Sequence, residues 1–128
     1  MEAAAMIRKK LEYSRETPGG GDGELVVFTL AGPLTGSEPA YGFQDEVRQK
    51  ITGGCRKIVI DLAGVERIDS CGVGILASLM WSASQATAGM VFAGIPHQVE
   101  KLLQIVMLLD HIDHAPSREA AIALLQGS

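Results

Sequence analysis

Several scarcities bound what this chain can be. Two cysteines, Cys55 and Cys71, occur in 128 residues, with neither metal-ligand nor redox spacing, so they read as reduced intracellular thiols rather than as a disulfide. Aromatic residues are only 5% of the chain, which leaves the core to aliphatic and small side chains. Basic residues are few and scattered: 11 Lys and Arg against 15 Asp and Glu give a net charge of −4, which argues against direct nucleic-acid binding. No apolar run approaches the roughly 18 residues of a membrane span. The start, Met1 to Lys10, lacks the basic-then-apolar order of a signal peptide, so a cytoplasmic location is expected. There is no internal repeat and no low-complexity tail. With 47% hydrophobic and 20% charged residues, residues 1–128 suit a single domain with its own core.

The most informative stretch runs from Lys57 to Trp81. Ile58-Val59-Ile60 is short and β-branched, as a buried parallel strand should be, with Gly64 as a turn after it. Asp69-Ser70 then precedes apolar residues at helical spacing, Val73, Leu76, Ala77, Met80 and Ala83. This places Ser70 at a helix start, where free N–H groups and the dipole favour an anion, and where Ser70 could itself be the N-cap. Gly72 and Gly74 each cost about 1 kcal/mol in a helix relative to alanine. Close approach by another chain or a phosphate would explain them.

Taken in order, Ile7 to Tyr13 and Glu24 to Ala31 read as two strands of a hairpin with a flexible Gly-rich tip over 17–23. That tip is not a P-loop, because no Gly-Lys-Ser/Thr follows. Gly32-Pro33 ends the second strand, and Ser37 caps a helix through Phe43, Val47 and Ile51 that stops at Gly53-Gly54. Met90 to Ala93 is another buried strand, and Pro96 opens a helix with Val99, Leu102, Leu103 and Val106, its face widened by Ile105, Leu108 and Leu109. His111 to His114 reads as an edge strand, and Ser117 caps a final helix through Ile122, Leu124 and Leu125. The order β-β-α-β-α-β-α-β-α implies an α/β domain, with a mixed, mostly parallel sheet of about five strands and about four helices.

The segment Ile68-Asp-Ser-Cys-Gly-Val-Gly74, opening a helix after a strand, resembles the signature of STAS domains of the anti-sigma-factor antagonist type. Gly32-Pro-Leu-Thr35 is similar to that family's Gly-x-Leu-Asp/Thr loop, and Val106-Met107-Leu108 stands where Thr-Gly-Leu is common. Cys71 replaces the usual serine or threonine. The resemblance implies the STAS fold and a phosphorylation site at Ser70. It also implies partner switching: the unphosphorylated form binds an anti-sigma factor that is also a serine kinase, phosphorylation reverses this, and a serine phosphatase resets it. The docking surface would comprise Asp69, Ser70, Cys71, Gly72, Gly74, Ser78, Trp81 and Thr35. Helical spacing adds its own hint, since Ser70, Gly74, Ser78, Trp81 and Gln85 follow one stripe. Trp81 could be a contact or a core residue. STAS domains also serve as constitutive modules in sensory scaffolds or beside transporters, which is the alternative reading. A homodimer is a further option.

Other chemistries are weaker. Asp61, Glu66 and Asp69 could be imagined as paired carboxylates, but loop and helix-start roles account for them. Cys71 at a helix start could have an activated thiol, although burial is the commoner fate of such a residue. His111 and His114 would lie on opposite faces of a strand and lack further ligands. Nucleotide or anion binding at the Ser70 helix start rests on dipole physics alone. No enzyme activity, metal or cofactor is expected.

Overall fold

A computed structural model describes residues 10–18 and 25–126. The elements are β1 (Glu12–Glu16), β2 (Leu25–Leu34), α1 (Glu38–Thr52), β3 (Lys57–Ile68), α2 (Ser70–Gln85), β4 (Gly89–Ala93), α3 (His97–Ile105), a 3-10 turn (Leu109–His111), β5 (Asp113–Ala115) and α4 (Arg118–Gln126). Among the described residues the sheet has five strands in the order β1-β2-β3-β4-β5. β1 pairs antiparallel with β2, and every other neighbour is parallel.

Each parallel step moves one place in the same direction, so right-handed crossovers carry α1, α2 and α3 to one face. Strand alternation follows suit. The rows Val26–Ile58–Met90 and Phe28–Ile60–Phe92 point to the helices, while Val27–Val59–Val91 points the other way. The first face packs against Phe43, Val47, Ile75, Leu79 and Leu103, among others. Phe43 meets both Tyr13 and Phe28 edge-on, with ring centroids 5.6 Å apart in each pair. The second face carries smaller side chains and is covered by α4 through Ala121, with Ala120, Ile122 and Leu125 partly buried.

Several sequence expectations need correction. β2 does not end at Gly32 but continues to Leu34. Its pairing with β1 stops at Ala31, so the missing N–H of Pro33 costs no ladder bond on that side. Gly64 is not a turn but lies inside β3, where β3 twice supplies an extra residue against β2. A side chain at Gly64 would sit 2.8 Å from the Leu30 carbonyl oxygen, and that crowding accounts for the glycine. Helix α2 buries Ile75, Leu76, Leu79 and Ala83, a stripe rotated from the one the spacing suggested, with Val73, Ala77 and Met80 only partly covered. Ile105 and Val106 are exposed rather than part of the α3 core face, and Leu124 is exposed on α4. His111 falls in the 3-10 turn, leaving only His114 in the edge strand. The first strand begins at Glu12, and most of the expected flexible tip, 19–23, lies outside the described residues.

Candidate functional site

β2 and β3 run on past the end of β4 and finish together, with Leu34 in register with Ile68, and the loops leaving them meet there. The Asp69 N–H donates to the Leu34 carbonyl at 3.4 Å, which ties the head of α2 to the end of β2. Gly72 makes that approach possible. A Cβ there would lie 2.1 Å from the Leu34 carbonyl oxygen, so only glycine fits. Gly72 is therefore buried against β2 and does not face outward, unlike the docking role expected of it. Gly74 is exposed, and a Cβ there would meet nothing within 4 Å. Nothing in the chain itself requires that glycine.

Asp69 is the N-cap of α2: its backbone is extended, and its carboxylate accepts the Gly72 N–H at 2.9 Å. Ser70 is consequently the first helical residue rather than the cap. Its hydroxyl is exposed at the positive end of the helix dipole. Cys71 is exposed too, contrary to the buried fate expected for it. Its side chain pairs with the Tyr41 hydroxyl, and that pairing, with desolvation and the charge of Asp69, raises the Tyr41 pKa above its ordinary 10.0. Gly36 closes the same corner, since a Cβ on it would sit 2.9 Å from the Cys71 sulfur. Thr35 is half-buried in this loop.

Further along α2, Ser78 is half-buried and Trp81 is 64% exposed. Ser70, Gly74, Trp81 and Gln85 all face solvent, with Ser78 between them. Ser78 accepts a hydrogen bond from Arg48 on α1. Tyr41 and Arg48 were not singled out from the sequence. Tyr41 could have been, because an aromatic residue that lies off the Phe43–Val47–Ile51 stripe has no core reason to be there.

The residues of the alternative chemistries lie on separate elements or are already hydrogen-bonded. Asp61 accepts from the Ala63 N–H at 3.0 Å and from Arg118 of α4 at 3.3 Å, on the opposite face of the sheet from α2. The Glu66 carbonyl accepts from Gln98. His97, His111 and His114 are exposed on separate elements. Among the described residues no cluster of three or more His, Cys, Asp or Glu could hold a metal ion. Among the same residues no helix is long and apolar enough to cross a membrane.

No curated protein sequence matches the chain. Solved structures do match. A Thermotoga maritima protein proposed to be an anti-sigma factor antagonist superposes with a TM-score of 0.79 at 20% identity, covering 89% of this chain and 94% of its own. The anti-sigma factor antagonist SpoIIAA, a Bacillus cell fate determinant, superposes in its unphosphorylated form with a TM-score of 0.75 at 21% identity, over 91% of this chain and 98% of its own. A sulfate transporter family protein of Wolinella succinogenes shares the fold with a TM-score of 0.65 at 13% identity, over 78% and 83%. The STAS domain model matches residues 19–121, a span that holds the Asp69–Gly74 helix start and all of β2 to β5, and the chain belongs to the STAS domain family.

Proposed function

We propose that this protein is a cytoplasmic anti-sigma-factor antagonist that works by partner switching, with Ser70 as the phosphoacceptor. One observation carries the reading: Asp69 caps α2, so the Ser70 hydroxyl is exposed and not engaged in holding the helix. SpoIIAA, of the same fold, has been solved in unphosphorylated and phosphorylated forms. Unmodified, the face around Ser70 docks on an anti-sigma factor that is also a serine kinase, and the sigma factor is released. Phosphorylation adds about −1.5 to −2 charges. The helix dipole tolerates that anion, so the fold is kept while the docked partner is not: repulsion beside Asp69 and the cost of desolvating the phosphate oppose the complex. A serine phosphatase restores the docking form. The chain performs no catalysis in this cycle and needs no cofactor.

The test is peptide mass spectrometry on protein from its native host, followed by affinity measurements with the kinase responsible. Phosphate at Ser70 is expected. Ser70→Ala should bind that kinase like the unmodified chain, and Ser70→Asp at least about tenfold more weakly, a difference of about 1.4 kcal/mol. Equal affinities of the two variants would sink the proposal.

A second reading has its own observation. At the end of α3, Ile105 and Met107 are 74% and 75% exposed and adjoin exposed Val106. Such an apolar corner suits permanent assembly in a sensory scaffold or a transporter-associated complex, and the Wolinella transporter protein shares the fold. Co-purification with a partner irrespective of Ser70 phosphorylation would favour it.

A further inference from the structure

We infer that the docking face has two separable parts: a switch end at the head of α2, and an anchor farther along the α1–α2 seam, formed by Arg48 and Trp81. The anchor receives a protein partner that presents a carboxylate beside an apolar hollow. The inference rests on the partner-switching reading and deepens it.

The seam has a regular geometry. Tyr41 of α1 meets Cys71 of α2, and Arg48 of α1 meets Ser78 of α2. Both steps are seven residues, 41 to 48 and 71 to 78, which is two helical turns. The two helices therefore run side by side in matched register, and their outward residues form one continuous surface. Trp81 stands one turn beyond Ser78 and is 64% exposed. Arg48 is exposed, and among the described residues it has no carboxylate partner; its bond goes to the Ser78 hydroxyl. A chain of net charge −4 thus leaves an exposed cation without a carboxylate partner among the described residues, bonded one helical turn from its one tryptophan. Charge complementarity calls for an acidic group there. Trp and Arg are also the residue types that most often dominate interface energies when they are buried against a pocket.

Distance separates the two ends. Ser78 is eight residues and Trp81 eleven residues after Ser70, or about 12 and 16 Å along the helix. Screening at physiological salt acts over about 8 Å. A phosphate at Ser70 therefore opposes the partner at the switch end and leaves the anchor unaffected.

Phosphate transfer supplies the test without requiring that the kinase be named. Purified full-length protein is offered to extract of the native host with labelled ATP, and initial rates of Ser70 labelling give KM and maximal rate. Trp81→Ala and Arg48→Glu should each raise KM about tenfold or more and leave the maximal rate unchanged. Arg48→Lys should recover most of the wild-type value. Raising ionic strength should increase KM for the wild type and for Trp81→Ala but not for Arg48→Glu. Thermal unfolding verifies that the exposed-site variants remain folded. Labelling of the wild type with unchanged KM in both variants overturns the anchor but not the switch. If the variants only convert a wild-type dimer to monomer, again with KM unchanged, the face joins two copies of this chain and the anchor is likewise overturned. No labelling of the wild type overturns the partner-switching reading, and the anchor with it.

Discussion

Helices α2 and α4 begin alike. Each follows a parallel strand with no more than two residues between and has a side-chain oxygen as its cap, Asp69 accepting from the Gly72 N–H at 2.9 Å and Ser117 from the Ala120 N–H at 3.1 Å. Their first helical residues then diverge. Ser70 faces solvent, whereas Arg118 turns onto the sheet and reaches Glu16 on β1, Thr29 on β2 and Asp61 on β3. A cation at a helix N-terminus opposes the dipole. Burial also works against its charge, yet Glu16 and Asp61 outweigh it and raise the pKa of the guanidinium. The packing beneath the two helices accounts for the difference. α2 fully buries Ile75, Leu76, Leu79 and Ala83, while α4 fully buries only Ala121. The deeply packed helix can leave its head free for another molecule, and the shallow one is held by its head.

The largest expected effect tests the packing half of that contrast. Leu79→Ala should cost about 2–5 kcal/mol, because the site is fully buried in the main core with no solvent to relax into. Its nominal counterpart on α4, Leu124→Ala, should change stability by no more than about 0.5 kcal/mol, since Leu124 is mostly exposed. Chemical denaturation measures both. Equal losses would mean that α4 packs far more tightly than its contacts indicate.

A smaller effect is expected from the tie itself. Arg118→Gln removes a charged network that is only partly buried, so the loss should be about 1 kcal/mol after allowance for solvent screening. The change should be local. Hydrogen exchange should accelerate across the α4 amides, while those of α2 keep their wild-type protection. Uniform acceleration in both helices would show that Arg118 supports the whole fold and not α4 in particular.

The sequence carried some of this and concealed the rest for identifiable reasons. The order of elements was legible because β-branched runs alternate with helical spacing, and the head of α2 because Asp69-Ser70 precedes a change of period. The continuation of β2 and β3 past Gly32 and Gly64 was not, since glycine and proline signal breaks locally, while the pairing that tolerates them here is set by distant strands. The capping residue was ambiguous between Asp69 and Ser70 because adjacent residues of both types are good caps. The parts contributed by Tyr41, Arg48 and Arg118 were invisible because each depends on contacts between elements far apart in the chain.

The smallest effect has the opposite sign and bears on why α2 keeps its outer side bare. Gly74 is in the second turn of a helix that otherwise packs well, and the space where its side chain would stand is empty. Folding alone therefore favours alanine there: Gly74→Ala should stabilise the chain by about 0.5–1 kcal/mol, raising the melting temperature by about 2–4 °C. Gly72, two residues earlier, offers no such gain, because Leu34 occupies that space. If the outer side of α2 is left open for a partner that approaches the main chain, the same substitution should slow Ser70 labelling by native-host extract through a raised KM. A stabilised variant labelled as well as the wild type would separate the two effects. The bare turn would then be a feature that neither the fold nor the docking face requires, and the contrast between α2 and α4 would rest on Ser70 and Arg118 alone.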